Sequence, residues 1–252
     1  MDVFKDDLLE KLIFLHNRGY FECYGDVVTR NCPPKADTHI GRTFEYLLEV
    51  PMNNFQSPDY KGIELKSHKL LSSSNITLFA NNPHYLFEET WIRGKTTKEF
   101  YKWYQRVCGT PEGEFLNNTV KYKYPNSQGL YLDLSEDLQR LQLCDEDGQP
   151  CLGWDLNILD EQLYKKFSEG AFLFCKTKTN AVGREMFHIV KVTHVEYDGE
   201  KFQNLIANSL IEVDILFKKK KNLRQTSFRA NKKNLEEIFD TYKEYDLVKM
   251  TQ

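Results

Sequence analysis

The sequence lacks several features that would mark particular protein classes. No apolar run approaches the roughly 18 residues that a membrane-spanning helix needs. The opening Met1-Asp2-Val3-Phe4-Lys5-Asp6-Asp7 puts acids where a secretory leader carries a basic start and an apolar stretch, so a cytoplasmic protein is expected. Cysteine is sparse, with 6 in 252 residues and no Cys-x-x-Cys pair. Reduced thiols are therefore expected, and a zinc finger or ribbon is not. His16, Cys23, Cys32 and His39 are spaced symmetrically, but the gaps match no zinc spacing, and they read as core or surface groups. There are no internal repeats and no regular strand-helix alternation, which sets aside solenoids and doubly wound sheets. A strong excess of positive charge is also missing, since the formal net charge is -3. Taken as a total, that argues against a polyanion partner.

The remaining composition is that of an ordinary globular chain, 40% hydrophobic and 28% charged. Its length suits one large domain or two small lobes, and a division into residues 1–125 and 126–252 is expected. Residues 3–18 carry apolar side chains at helical period until Gly19 stops them, and a second helix runs through Thr43-Phe44-Glu45-Tyr46-Leu47-Leu48 to before Pro51. Residues 60–66 and 75–79 read as strands, residues 97–108 as a helix, and residues 115–124 with 129–134 as a hairpin. Then come a helix at 159–169, strands at 171–176, 186–197 and 211–217, a helix at 202–210, and a closing helix at 231–242. The fold class is α/β or α+β mixed, with a mixed sheet flanked by helices.

The small net charge hides two opposed blocks. Residues 133–161 hold nine acids against Arg140 alone, whereas residues 216–233 hold Lys218, Lys219, Lys220, Lys221, Arg224, Arg229, Lys232 and Lys233 with no acid. A lysine run is often only a solvated loop. This one follows a strand, as expected of a basic loop projecting from a sheet into a nucleic-acid groove. Within it, Arg229 is the first candidate for bidentate readout of guanine. Asp214 either accepts from a cytosine amino group or holds Arg229. His68 and Lys69 are candidates for a phosphate contact, and His84 for a base edge.

The strongest chemical signal is Ser57-Pro58-Asp59-Tyr60-Lys61-Gly62-Ile63-Glu64-Leu65-Lys66. On a strand, Glu64 and Lys66 share one face while Ile63 and Leu65 anchor the other, and Gly62 permits a turn that brings Asp59 toward Glu64. Two carboxylates and a lysine around one point suit metal-assisted phosphodiester hydrolysis. Asp59 and Glu64 would hold a hard cation such as Mg2+, and Lys66 would orient the attacking water or stabilise developing negative charge. The same three residues would also serve as a structural ion-pair cluster on a strand.

The residues around this triad carry a resemblance. Gly41-Arg42-Thr43-Phe44-Glu45-Tyr46-Leu47-Leu48, Asn53-Asn54, Pro58-Asp59 and Gly62-Ile63-Glu64-Leu65-Lys66-Ser67-His68 resemble the active-site region of the MvaI/BcnI family of restriction endonucleases, which is related to the mismatch-repair nickase MutH. Thr77-Leu78-Phe79 continues the likeness. Val213-Asp214-Ile215, a basic loop and Thr226-Ser227-Phe228-Arg229 resemble the DNA-reading segment of that family. The resemblance implies a PD-(D/E)xK nuclease core and two lobes that clasp duplex DNA in a cleft. It implies a monomeric, Mg2+-dependent type II restriction endonuclease with one or two ions, cutting one strand at a time and paired with a cognate DNA methyltransferase in a prokaryotic cytoplasm. Asp59, Glu64 and Lys66 fall on the catalytic positions of the family, and Glu45 on a helix glutamate that supports the metal site. A strand-nicking enzyme like MutH and a DNA-binding protein without nuclease activity are the other readings.

Overall fold

A computed structural model describes residues 4–23, 38–51, 58–88, 90–91, 115–218 and 223–251. Two compact units emerge, and each is assembled from separated stretches of chain. The first comprises Met1–Ser74, Lys165–Asp198 and Phe239–Gln252, and the second Asn75–Tyr164 and Gly199–Ile238. The expected single division after residue 125 falls inside the second unit. A boundary drawn once along the chain misses this interleaving, because the long pairings of one sheet join strands distant in sequence.

In the first unit a π-helical turn, Phe4–Leu8, leads into α1 (Leu9–Arg18). The helix ends at Gly19, whose φ of +84° suits glycine and whose N–H returns to the His16 carbonyl at 2.9 Å. α2 (Thr38–Leu47) follows. The sheet contains β1 (Phe21–Glu22), β2 (Glu64–Lys69), β10 (Gly170–Thr179), β11 (Glu185–Glu196) and β14 (Thr241–Asp246). Its order is β1-β11-β10-β2, with β14 also paired to β11. β2 and β10 run parallel, while β10–β11, β1–β11 and β11–β14 are antiparallel, so the sheet is mixed. β10 opens Gly-Ala-Phe-Leu-Phe-Cys, buried on both faces, which is why it reads as a continuous apolar run. Leu173 joins Leu12, Phe44, Ile63 and Ile189 in the main core. Phe172, on the opposite face, stacks with Phe167 at 5.6 Å. Short α6 (Leu247–Met250) begins at Asp246, whose Oδ1 accepts from the Val248 N–H at 3.1 Å.

The second unit holds two antiparallel sheets. One has the order β3-β13-β12-β6, from β3 (Ile76–Ala80), β6 (Phe115–Val120), β12 (Ile211–Lys218) and β13 (Leu223–Ala230). The other has the order β5-β4-β9-β8-β7, from β4 (Tyr85–Glu88), β5 (Thr90–Trp91), β7 (Tyr131–Leu134), β8 (Arg140–Cys144) and β9 (Pro150–Asp155). The helices of this unit are α3 (Leu156–Phe167) as far as Tyr164, α4 (Phe202–Ala207) and α5 (Leu235–Ile238), while the last residues of α3, Lys165–Phe167, belong to the first unit. Trp154 is fully buried, donates Nε1–H to the Asn81 carbonyl at 3.1 Å and meets Phe228 edge-on.

Several expectations give way here. The hairpin of 115–124 with 129–134 does not form. β6 pairs with β12 and β7 with β8, and the two runs meet through a parallel bridge between Tyr122 and Leu132 rather than as an antiparallel hairpin. The helix at 231–242 is replaced by a 3-10 turn (Lys232–Asn234), α5 and β14. Asn231 caps the turn by accepting from the Lys233 N–H at 3.0 Å, and β14 is captured by the free edge of β11. Of the basic segment, residues 216–218 and 223–230 lie on the antiparallel strands β12 and β13, with Lys218 opposite Leu223. Lys219, Lys220 and Lys221 lie outside the described residues, as does the expected helix at 97–108. Cys23, Cys144, Cys151 and Cys175 are buried. Burial, followed by the Asp133 and Asp145 carboxylates, pushes the Cys144 thiol up to about 12, leaving it chemically quiet.

Candidate active site

Local backbone chemistry places Asp59. Tyr60 and Ile63 exchange backbone hydrogen bonds at 2.9 and 2.8 Å around a two-residue turn. Both central residues have positive φ, +48° at Lys61 and +97° at Gly62, the pattern of a tight hairpin turn. Strand β2 accordingly begins at Glu64 rather than at Tyr60. The turn is held from outside because Tyr60, only 4% exposed, donates its hydroxyl to Asp7 at 3.0 Å. Asp59 folds back over the turn, and its Oδ2 accepts the Leu65 N–H at 3.0 Å.

Glu64 starts β2, and its N–H donates to the Glu169 carbonyl at 3.0 Å. Ile63 and Leu65 enter the core as expected, but Glu64 is buried too, only 1% exposed. A buried carboxylate needs partners, and both oxygens have them. Lys66 Nζ bonds Oε1, and Lys166 Nζ approaches Oε2 at 3.2 Å. Lys66 and Lys166 are themselves mostly covered, at 29% and 20% exposure.

Glu45, on α2, belongs to the same electrostatic group. Burial raises its carboxyl above the ordinary value of 4.5, and the Asp59 and Glu64 charges add to the rise, while Lys66 and Arg42 oppose it. The structure thus brings Glu45, Asp59, Glu64 and Lys66 within mutual influence. It adds Lys166, which sequence reasoning missed. Lys166 lies 102 residues from Glu64 in the chain, and its only local mark is a place in the basic last turn of α3.

Among the described residues no group of three or more His, Cys, Asp or Glu is set to cage a metal ion. The donor set still fits one particular class of ion. Two carboxylates offer hard oxygens, and Mg2+ commonly takes one or two carboxylates and keeps several waters. The site also concentrates three carboxylates, two of them partnered only by lysine or backbone N–H groups.

His68 and Lys69 are within β2 rather than beyond it. His68 lies edge-on to Phe174, and Lys69 pairs with Glu185 at 2.6 Å.

In the second unit, Arg229 and Asp214 form an ion pair across β12 and β13. Arg229 also donates Nη2–H to the Asn75 carbonyl at 2.6 Å, while Asp214 accepts from Thr119 at 2.5 Å and is only 6% exposed. Asp214 therefore holds Arg229, one of the two roles its position suggested. His84 Nδ1 accepts the Asp155 N–H at 3.0 Å, and its Nε2 faces Asn81 Oδ1 at 3.3 Å. Both ring nitrogens are engaged within the unit. Lys218 and Arg224 sit on β12 and β13 by backbone, and their side chains are outside the described residues.

With this geometry in place, comparison with known proteins gives a consistent result. The family model described as the MvaI/BcnI restriction endonuclease family matches residues 9–239. A solved structure described as "Restriction endonuclease MvaI-cognate DNA substrate complex" is similar with a TM-score of 0.74 and 23% identity, covering 98% of this chain and 99% of that one. Another, "Restriction endonuclease MvaI in the absence of DNA", shows 22% identity and a TM-score of 0.49, covering 94% and 97%. No curated protein matches. At 23% identity the likeness to the DNA complex speaks for a shared fold.

Proposed function

The chain belongs to the MvaI/BcnI restriction endonuclease family and is a type II site-specific endonuclease, and from that premise we propose that it hydrolyses phosphodiester bonds of double-stranded DNA with Mg2+ at Asp59 and Glu64. The observation that carries this reading is the turn at 58–63, which sets Asp59 over β2 and beside the Glu64–Lys66 pair. Restriction endonucleases generally use divalent metal ions. When bound, such an ion would acidify a water and offset negative charge on the scissile phosphate.

The remaining chemistry falls to the side chains. Asp59, held by the Leu65 N–H, and Glu64, held in a covered site, would present their oxygens to the ion. Lys66 would orient the attacking water or stabilise charge on the phosphate. Glu45, whose carboxyl is raised by burial and by the Asp59 charge, would support the metal site from helix α2.

In this reading the first unit cuts and the second reads. Arg229, held by Asp214, would present its guanidinium to a guanine edge. Lys218, Lys219, Lys220, Lys221 and Arg224 would supply the charge that meets phosphates, with His68, Lys69 and His84 as further contacts. The enzyme would act as a monomer, nick the two strands in succession, and share a prokaryotic cytoplasm with a methyltransferase that protects the host sites.

The deciding experiment incubates the purified protein with plasmid and phage DNA in Mg2+ or EDTA, beside Lys66→Ala. Discrete fragments in Mg2+ are expected, at a rate lowered by about a hundredfold or more in the variant. Sequencing their ends gives the recognition site. Duplex binding without cutting would overturn the proposal.

A further inference from the structure

We infer that Lys166 is a resident substitute for the metal ion: it occupies the Glu64 carboxylate until a divalent cation arrives, and the cation's affinity is set by having to displace it. The inference rests on the reading that Asp59 and Glu64 hold the cation, and it concerns a residue to which that reading gives no role.

Both Glu64 oxygens are taken by ammonium groups, Oε1 by Lys66 and Oε2 by Lys166. A cation that binds Glu64 must therefore displace one of them or share an oxygen with it. Lys66 stands two residues away on the same strand face and is tied to the site by its own backbone. Lys166 comes from the last turn of α3, and its contact of 3.2 Å is longer than the roughly 2.7–2.9 Å of a tight charge-assisted hydrogen bond. It is the looser of the two by geometry and the one the hydrolytic chemistry does not require.

Its presence still has a physical reason. With Glu64 1% exposed, a carboxylate left with one partner would be a poorly compensated buried charge. The second ammonium gives Oε2 a partner and holds the carboxylate in place. The position of Lys166 is fixed by close packing next to it. Phe167 stacks on Phe172 at 5.6 Å, and a Cβ at Gly170, the residue opposite Glu64 in β10, would stand 2.6 Å from Phe167 Cδ1. The end of α3 cannot drift from the start of β10, so Lys166 has one station while its flexible stem can release Nζ. A doubly charged ion then replaces a singly charged one, and the freed ammonium adds positive charge beside the site where a phosphate would arrive.

The test titrates the full-length protein with Ca2+ at pH 8 by calorimetry, without DNA, in wild type, Lys166→Met, Lys166→Gln and Lys166→Arg. Removing the competitor should tighten Ca2+ binding about tenfold in the Met and Gln variants, while Arg stays near wild type. Unchanged or weaker binding in folded neutral variants overturns the inference. Circular dichroism in EDTA establishes which variants fold. If neither neutral variant folds, acetylation of Lys166 in the wild type, followed by mass spectrometry, reads the same displacement. Ca2+ should accelerate it several-fold, and an unchanged rate overturns the inference. Asp59→Asn and Glu64→Gln separate the two levels of argument. If they bind Ca2+ like wild type, the metal reading itself has failed, whatever Lys166 does.

Discussion

Glu45 shows how one covered side chain can report on a whole site. Its carboxyl is raised by burial first and by the Asp59 charge second. A raised value in the folded protein means that the folded state binds the extra proton, so ionisation at high pH works against folding. The cost is present above the raised value and absent below the ordinary value of 4.5, where the group is neutral in both states. Glu45→Gln in EDTA is therefore expected to stabilise the protein at pH 8, with the gain shrinking to nothing as the pH falls below about 4.5. Urea denaturation at both pH values reads this directly, and an advantage that grows in acid would contradict it. At this scale the proximity of Asp59, Glu64 and Lys66 was legible, because Pro58-Asp59 and Glu64-x-Lys66 are close in sequence and strand alternation aligns the last two. The burial of Glu64 was not legible, since alternation assigned it to the exposed face. Nor was Lys166, which no local pattern connects to β2.

Elements marked by apolar periodicity were readable: α1, α2, β2, β10 and β11 all appear close to where their hydrophobic spacing puts them. The failures share a cause. β13 reads Leu-Arg-Gln-Thr-Ser-Phe-Arg-Ala, so its alternation is blurred by charge, and it becomes a strand by lying between β12 and β3. β14 looked helical in isolation and is decided by the edge of β11. Such tertiary capture outweighs local propensity. The junction of α3 and β10 supplies a test at this scale. Gly170→Ala forces its new methyl against Phe167, and the loss of stability should be about 1–3 kcal/mol, read from the urea midpoint. A neutral result would show that Phe167 can move, and with it the grip of α3 on the site.

For the whole molecule, the net charge of -3 is a poor guide, because a local excess of acid in residues 133–161 cancels the base in residues 216–233. DNA affinity should follow the local charge. Replacing Lys218, Lys219, Lys220 and Lys221 by alanine should flatten the salt dependence of binding, by about 0.9 in the log–log slope for each lysine that contacts a phosphate. Replacing exposed acids of residues 133–161 by asparagine or glutamine should leave that slope unchanged. Filter binding across a salt series in EDTA measures both, and a slope that tracks total charge would refute the local footprint. The division into units was the least legible feature of all, since no composition shift marks where Lys165–Asp198 and Phe239–Gln252 return to the first unit. That return has a consequence in time. A ribosome delivers Asp59, Glu64 and Lys66 early, but the strands that surround them arrive in instalments, with β14 emerging after the entire second unit has been made. The sheet that carries Glu64 and Lys66 is finished only once β12 and β13 have been made, so a half-made chain holds the candidate triad without the support that shapes it.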